Sequence, residues 1–364
     1  MKIVKSRLVV YLLCYLEYSY LCIYQLYFVM MINNKLSKEV EIMKPKVGII
    51  SINWNNYLDT REFISSILSI QYQNFVIYIV DNNSSDDSLT LLKKEFKEYI
   101  NKQKIIFIES VVNKGFAGGN NIGIKRALVD NCDMILVINN DTVVSPDFLE
   151  PMVDRLYLNK DIGIVSGKIY YYDNKEVLWS IGGELNLLKA SAKYYGTDVV
   201  DRGQFDNIET LGIASGCLML LDCSMLKTIG LLSEKFFFRG EEWEFSYRVA
   251  KNGYKIVFEP RAHIYHKVSR SHNRLSYYDI YSAYRGKLIF SKSYIKKPLW
   301  FLWFVIFMLY SLSFSYMSFN KSGSDKINFF KYFKTIIFVI RDGLKNDFVT
   351  LEDIEKVKCL LDNE

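Results

Sequence analysis

Three groups of residues in this chain have the types and the spacing to do chemistry. The first is Asn139-Asn140-Asp141, which follows the apolar run 134–138. A strand of that character is buried on both faces, so its polar end is the part that meets solvent. Ligands of open α/β sheets collect at such carboxyl ends, which makes a metal or a phosphate the expected neighbour of Asp141. The competing reading is that Asp141 caps a helix starting near Pro146 and Asp147. The second group is Glu241-Glu242, preceded by Gly240 and opening a helix with Trp243, Tyr247 and Ala250 on its apolar side. A carboxylate held there can accept the proton of an attacking hydroxyl and lower the barrier by about 3 to 5 kcal/mol. The helix dipole alone also favours acids in a first turn. The third group is His266 with His263, expected on one face of a strand, each able to act as a ligand or as an ordinary hydrogen-bonded imidazole.

These groups need a sheet to hold them. The runs 47–53, 75–81 and 105–108 are apolar and the first two end in Asn53 and Asp81, with helical patterns at 59–69 and 89–100 between them. Strand, helix, strand is the parallel crossover unit, so the chain is an α/β protein. Asn82-Asn83-Ser84-Ser85-Asp86 can turn the chain and cap the second helix. A glycine-rich segment follows: Asn113, Lys114, Gly115, Gly118, Gly119, Asn120, Asn121 and Gly123. It lacks both the spaced glycines of a dinucleotide site and the lysine-hydroxyl pair of a Walker loop. The expectation is a loop opening a helix at 120–129, where unpaired N–H groups and the positive dipole end favour a phosphate and Lys114 adds charge. A plain tight turn is the alternative. Residues 209–222 have the pattern of one strand containing the small pair Ser215-Gly216.

In order along the chain, Ile-Val-Asp81-Asn-Asn-Ser-Ser-Asp-Asp-Ser, the glycine segment 113–123, Ile-Asn-Asn-Asp141-Thr and Phe-Phe-Phe-Arg-Gly-Glu241-Glu242-Trp-Glu resemble the motifs of family 2 glycosyltransferases, in particular the rhamnosyltransferase-like branch. The resemblance covers residues 47–266, and more loosely continues to Gly343. It implies the GT-A fold, a Rossmann-like, mostly parallel sheet flanked by helices. It also implies an inverting transfer of sugar from a nucleotide-diphosphate sugar, dTDP-rhamnose or a UDP-sugar, to a hydroxyl of a cell-surface glycan or lipid-linked acceptor. Asp81 takes the nucleobase position, where a carboxylate can accept from a ring N–H. Asn53, Asn83, Asn113, Lys114, Gly115, Gly118, Gly119, Asn120, Asn139, Asn140, Ser215 and Gly216 fall around the nucleotide sugar. Asp141 and His266 take the positions that hold a divalent cation, Mn²⁺ or Mg²⁺, and Glu242, supported by Glu241, that of the base. The chain departs from the usual Asp-x-Asp at Asn139, and one carboxylate with a diphosphate suffices for an ion that keeps its waters. Glutamate at 242 in place of aspartate moves the carboxylate outward by one methylene. Arg270, Ser271 and His272 are candidates to close over the diphosphate, and aromatics within 179–205 to stack on an acceptor sugar or to fill core.

The 364 residues divide into an apolar extension at 1–43, a catalytic domain at 44–290 and a helical region at 291–364 associated with the cytoplasmic face of the cell membrane. Residues 8–32 are long enough to span a bilayer but contain Glu17, and relatives commonly start near Met43, so an anchor and an overextended start are both open. Residues 299–319 are the stronger membrane candidate, spanning or lying on the surface, with Lys292, Lys296 and Lys297 before them. A net charge of +6 without a basic run excludes a nucleic-acid surface. The six cysteines lack zinc spacing and suit a reducing compartment. Two other classes compete: a catalytically silent nucleotide-sugar-binding scaffold, motivated by Asn139 and Glu242, and a nucleotidyltransferase. The latter wants a glycine-rich, arginine-bearing loop after the first strand, where Asn53-Trp54-Asn55-Asn56 stands instead.

Overall fold

The computed structural model describes residues 44–268, 276–321 and 329–362. The extension at 1–43 and the loop candidates Arg270, Ser271 and His272 lie outside them. Residues Pro45–Glu364 form one compact unit.

Its centre is a sheet in which β1 (Val47–Asn53), β2 (Phe75–Asp81), β3 (Ile105–Glu109) and β4 (Met134–Ile138) run parallel, in the order β3-β2-β1-β4. The strand β5 (Thr142–Val144) follows, so Asp141 sits in a turn between two strands and caps no helix. The sheet continues through long β6 (Ile162–Tyr171), short β7 (Val177–Ser180), the separate hairpin of β8 (Gly183–Asn186) and β9 (Ser191–Tyr194), then β10 (Val199–Val200) and β11 (Thr210–Leu211). The strand β12 (Leu218–Asp222) lies antiparallel between β4 and β6, and β13 (Lys255–His266) runs parallel to β6 and antiparallel to β5.

Alternation along the buried strands sends side chains to two cores. Ile49, Ile77, Ile79 and Leu136 pack on one face against Phe63, Ile64 and Ile67 of the helix Tyr57–Leu68 and Met152, Val153 and Leu156 of the helix Leu149–Leu158. Ile50, Tyr78, Ile135 and Val137 pack on the other against Ile124 and Ala127 of the helix Gly115–Val129 and Phe245 and Val249 of the helix Glu241–Lys251. The helix expected at 89–100 is broken at Phe96 into Ser88–Glu95 and a turn at Lys97–Asn101, because Phe96 turns inward to the first core.

A third core is formed by the C-terminal helices Tyr277–Tyr294, Lys297–Lys321, Phe329–Lys345 and Leu351–Asp362, where Tyr281, Leu288, Phe307, Tyr332 and Val339 meet. The first of these helices runs through the boundary expected at 290/291. Lys297–Lys321 buries Phe304 and Phe307 and exposes Leu299, Phe301, Leu302, Ile306 and Leu309. Among the described residues no helix is long and apolar enough to cross a membrane.

Candidate active site

At the carboxyl edge of β1 and β2, Asn53 and Asp81 stand side by side in register. Asn53 Nδ2 donates to Asp81 Oδ1 at 2.9 Å, while Ser84 donates its hydroxyl to Oδ1 at 2.7 Å and its N–H to Oδ2 at 3.0 Å. The Asp81 carboxylate therefore caps the turn, and with three bonds accepted it retains acceptor capacity on Oδ2. Thr60 donates to Asn53 Oδ1 at 2.8 Å, and Asn140 Nδ2 donates to Thr60 Oγ1 at 2.7 Å. A line of side chains thus joins the Asn139-Asn140-Asp141 turn to Asp81. Thr60 carried no sequence signal beyond its place in an amphipathic helix.

Asp141 Oδ1 lies 3.1 Å from His266 Nε2. That contact is an ion pair through Nε2; Asp141 Oδ1 and, on the other side of the ring, His266 Nδ1 are buried polar atoms with no further hydrogen-bond partner among the described residues. Burial opposes the charge on both groups and is outweighed. His266 and Lys267 hold the Asp141 carboxyl below its ordinary value, and Cys217 and Asp141 push His266 up to about 10. The His266 ring stands edge-on to Trp179, centroids 4.6 Å apart. Lys267 anchors the end of β13 to the Tyr57–Leu68 helix through Asp59 and Glu62, each at 2.6 Å. The two imidazoles do not share a face as expected. They are separated by an odd interval, so strand alternation turns His263 to Tyr170 and Tyr265 and His266 to Asp141.

No group of three His, Cys, Asp or Glu side chains able to hold a metal occurs among the described residues. The pair Asp141 and His266 nevertheless fits a divalent ion, which would take the place of the imidazole proton between them. Neighbouring ligands on an octahedral ion with bonds of roughly 2.1 Å stand about 3 Å apart, and such ions take their remaining ligands from water and phosphate. Both side chains also carry an orphaned polar atom.

The glycine segment is helix where a loop was expected, the helix beginning at Gly115 rather than at Asn120. It is the first turns of the helix Gly115–Val129, and the N–H groups of Lys114, Gly115 and Phe116 are already donated to Asn82 Oδ1, Asn113 Oδ1 and the Phe237 carbonyl. A cradle of unpaired N–H groups for phosphate is absent at these three positions. The glycines serve close packing instead. A Cβ on Gly119 would meet Ile52 at 2.7 Å, and one on Gly123 would meet Ile50 at 2.5 Å. Gly115, at φ +66°, abuts the Phe237 carbonyl, and Gly118 abuts Lys114. Asn120 is buried and donates to the Phe116 carbonyl, while Lys114 is exposed. Asn82, rather than exposed Asn83, organises this region by bonding Asn113 Oδ1 and the Gly115 carbonyl.

The strand expected at 209–222 is two short strands with Gly212–Cys217 between them, and that gap joins both halves of the site. The Cys217 carbonyl accepts from Asn139 N at 3.3 Å, and Ala214 N donates to Ser246 Oγ, on the Glu241–Lys251 helix, at 3.4 Å. Ser215 is buried beside Gly216, which packs on Phe116. Gly240, at φ +107°, starts that helix. Glu241 points inward with Oε2 unpartnered among the described residues, and burial with the neighbouring Glu242 charge raises its pKa well above the carboxylate range. Glu242 is half-buried. Its Oε1 accepts from Tyr194 OH at 3.0 Å and its Oε2 from Gly240 N at 3.3 Å. Burial raises its pKa too, against these hydrogen bonds and the Arg239 charge. A half-buried carboxylate with raised proton affinity is suited to general-base work.

Parallel strands with Asn53 and Asp81 at their ends and Asp141 in the turn beyond the fourth, an antiparallel flank, and the Glu241-Glu242 pair opening a following helix define an α/β fold of the GT-A type. Residues 48–230 match the profile described as Glycosyl transferase family 2, and the chain belongs to that family. It is 26% identical over 264 residues to the low-salt glycan biosynthesis hexosyltransferase Agl10 of Haloferax volcanii, covering 72% of this chain and 80% of that one. It is also 26% identical over 214 residues to the poly-β-1,6-N-acetyl-D-glucosamine synthase of Staphylococcus epidermidis, covering 57% of this chain and 47% of the synthase. The chain therefore spans about half of the synthase's length. Among solved structures, the mannosyltransferase PcManGT of Pyrobaculum calidifontis with GDP-Man and Mn²⁺ aligns with a TM-score of 0.52 at 14% identity, over 87% of this chain and 79% of that one. TarS 1-349 of S. aureus with UDP-GlcNAc aligns with a TM-score of 0.52 at 15% identity, over 86% and 83%. Both likenesses bear on the fold.

Proposed function

We propose that the protein transfers a sugar from a nucleotide-diphosphate sugar to a hydroxyl of a cell-surface glycan or lipid-linked acceptor, with inversion at the anomeric carbon. The observation that carries this reading is the placement of half-buried Glu242, with its raised pKa, on a helix tied through Ala214 to Cys217 to the Asp141 turn. Glu242 takes the proton of the acceptor hydroxyl as that oxygen attacks the anomeric carbon from the side opposite the diphosphate. Asp81 accepts from the nucleobase, and Asn140 and Ser215 line the diphosphate and donor sugar. Asp141 and His266 would hold Mn²⁺ or Mg²⁺, which supplies charge to stabilise the departing nucleotide diphosphate.

The donor proposed is dTDP-rhamnose or a UDP-sugar, in keeping with the rhamnosyltransferase-like motifs. UDP-GlcNAc and GDP-Man in the structural neighbours support a nucleotide sugar in general. We place the enzyme at the cytoplasmic face of the cell membrane, with the Lys297–Lys321 helix lying on the surface. Its exposed Leu299, Phe301, Leu302, Ile306 and Leu309 next to exposed Lys296 and Lys297 support that placement.

The test is thermal stabilisation by dTDP-rhamnose, UDP-glucose, UDP-GlcNAc and GDP-mannose, each with and without Mn²⁺. One donor is expected to raise Tm more with the ion present. Glu242→Gln is expected to keep that rise and lose transfer by about 10²-fold or more. A Glu242→Gln variant that still transfers sugar would remove this residue from the chemistry.

A further inference from the structure

We propose that Tyr194 is a positioning residue for the base: its hydroxyl aims the Glu242 carboxylate, so that the β8–β9 hairpin sets which oxygen meets the acceptor. The inference rests on Glu242 being that base. Three observations carry it.

The direction of the hydrogen bond is fixed. Trp243 Nε1 lies 3.2 Å from Tyr194 OH, and an indole nitrogen can only donate. The Tyr194 oxygen therefore accepts from Trp243, and toward an ionised Glu242, which has no proton to give, it donates its own to Oε1, 3.0 Å away. The opposite oxygen, Oε2, has the longer bond to Gly240 N at 3.3 Å. Oε1 is thus the tethered oxygen and Oε2 the looser one.

The hairpin itself is anchored. Tyr194 is the last residue of β9 and pairs with Gly183 of β8. A Cβ on Gly183 would fall 2.0 Å from the Lys193 carbonyl, so the two strands can approach only with glycine there. Gly183 exchanges hydrogen bonds with Ile213, both at 3.0 Å, just before the segment that carries Ser215. A displaced hairpin would move Tyr194 and this segment together.

The charged and titratable surroundings make the tether matter. Glu242 faces Tyr194 from the hairpin, Glu241 on its own helix and Arg239 from the preceding turn. Arg239 is in turn paired with Asp279 of the Tyr277–Tyr294 helix at 2.8 Å. Burial disfavours the ionised carboxylate, and Glu241 beside it would add to that cost if charged. Donors aimed at the ionised form offset part of it. With the Tyr194 proton removed, Glu242 holds its own proton more tightly and loses its preferred orientation.

The test is a carboxyl-¹³C-Glu NMR titration of the full chain, with the Glu242 signal assigned by its loss in Glu242→Gln. In Tyr194→Phe the Glu242 midpoint is expected to move up by about half a unit to one unit. Trp243→Phe, which leaves the tyrosine hydroxyl in place but unoriented, is expected to move it in the same direction by less. The acid limb of the kcat–pH profile should follow, with donor stabilisation by Mn²⁺ unchanged. A folded Tyr194→Phe with an unmoved midpoint overturns the inference. If Tyr194→Phe does not fold, an unmoved midpoint in Trp243→Phe overturns it equally. The underlying reading fails separately, through transfer by Glu242→Gln.

Discussion

The edge proposed to take the donor and the side proposed to take the acceptor are built by different means. At the donor edge, Asn53, Asp81 and Asp141 end or follow neighbouring parallel strands, so the sheet that aligns the strands also aligns the side chains. On the acceptor side nothing is inherited from one sheet. Glu242 stands on a helix, takes a hydrogen bond from a hairpin 48 residues earlier, and is backed by C-terminal helices. One half is set by local geometry and the other by convergence of distant parts. The two halves should accordingly fail in different ways when altered.

The largest effect is expected at the donor edge. Asp141→Ala removes the one carboxylate of its turn and should abolish the Mn²⁺-dependent part of donor stabilisation, with transfer down about 10²-fold or more. Equal stabilisation with and without the ion in the wild type would erase the proposed asymmetry between halves. On the acceptor side, Gly286 is the sharper target. A Cβ there would lie 2.5 Å from the Arg239 carbonyl, in the turn that leads to Glu242. Backbone cannot yield as a flexible side chain can, so Gly286→Ala should cost about 1–3 kcal/mol of stability and lower kcat while Mn²⁺-dependent donor binding survives. Loss of donor binding in a folded Gly286→Ala would mean the halves are not separable. The smallest effect concerns the far surface. Leu302→Glu with Ile306→Glu should weaken flotation with anionic phosphatidylglycerol vesicles several-fold and leave donor stabilisation intact. Unchanged flotation would exclude that face from lipid contact.

The same division governs what the sequence reveals. Apolar runs ending in Asn53, Asp81 and Asp141 expose the donor edge directly, because strand period and strand ends are local signals. The candidate base was legible as a Glu pair after a glycine, where the helix Glu241–Lys251 does begin. Its tether was not, since no local pattern relates Tyr194 to Glu242, or Ala214 to Ser246, 32 residues apart. The glycine segment is an intermediate case. Gly115, Gly119 and Gly123 recur at every fourth position, the signature of one helix face, but their number suggests a loop. Helix-to-sheet packing against Ile50 and Ile52 decides the matter. The histidines erred through face assignment alone, and counting the interval between them would have separated them.

The side chains from Asn140 through Thr60 and Asn53 to Asp81 all donate in one sense. In a string polarised in a single direction each hydrogen bond strengthens the next, so its members hold together more firmly than separate pairs would. The turn that carries Asp141 is thereby fastened to the carboxyl end of β2 by side chains as well as by the sheet. Under the proposed function, the groups assigned to the carrier's ring and to its phosphates share one frame and would shift together.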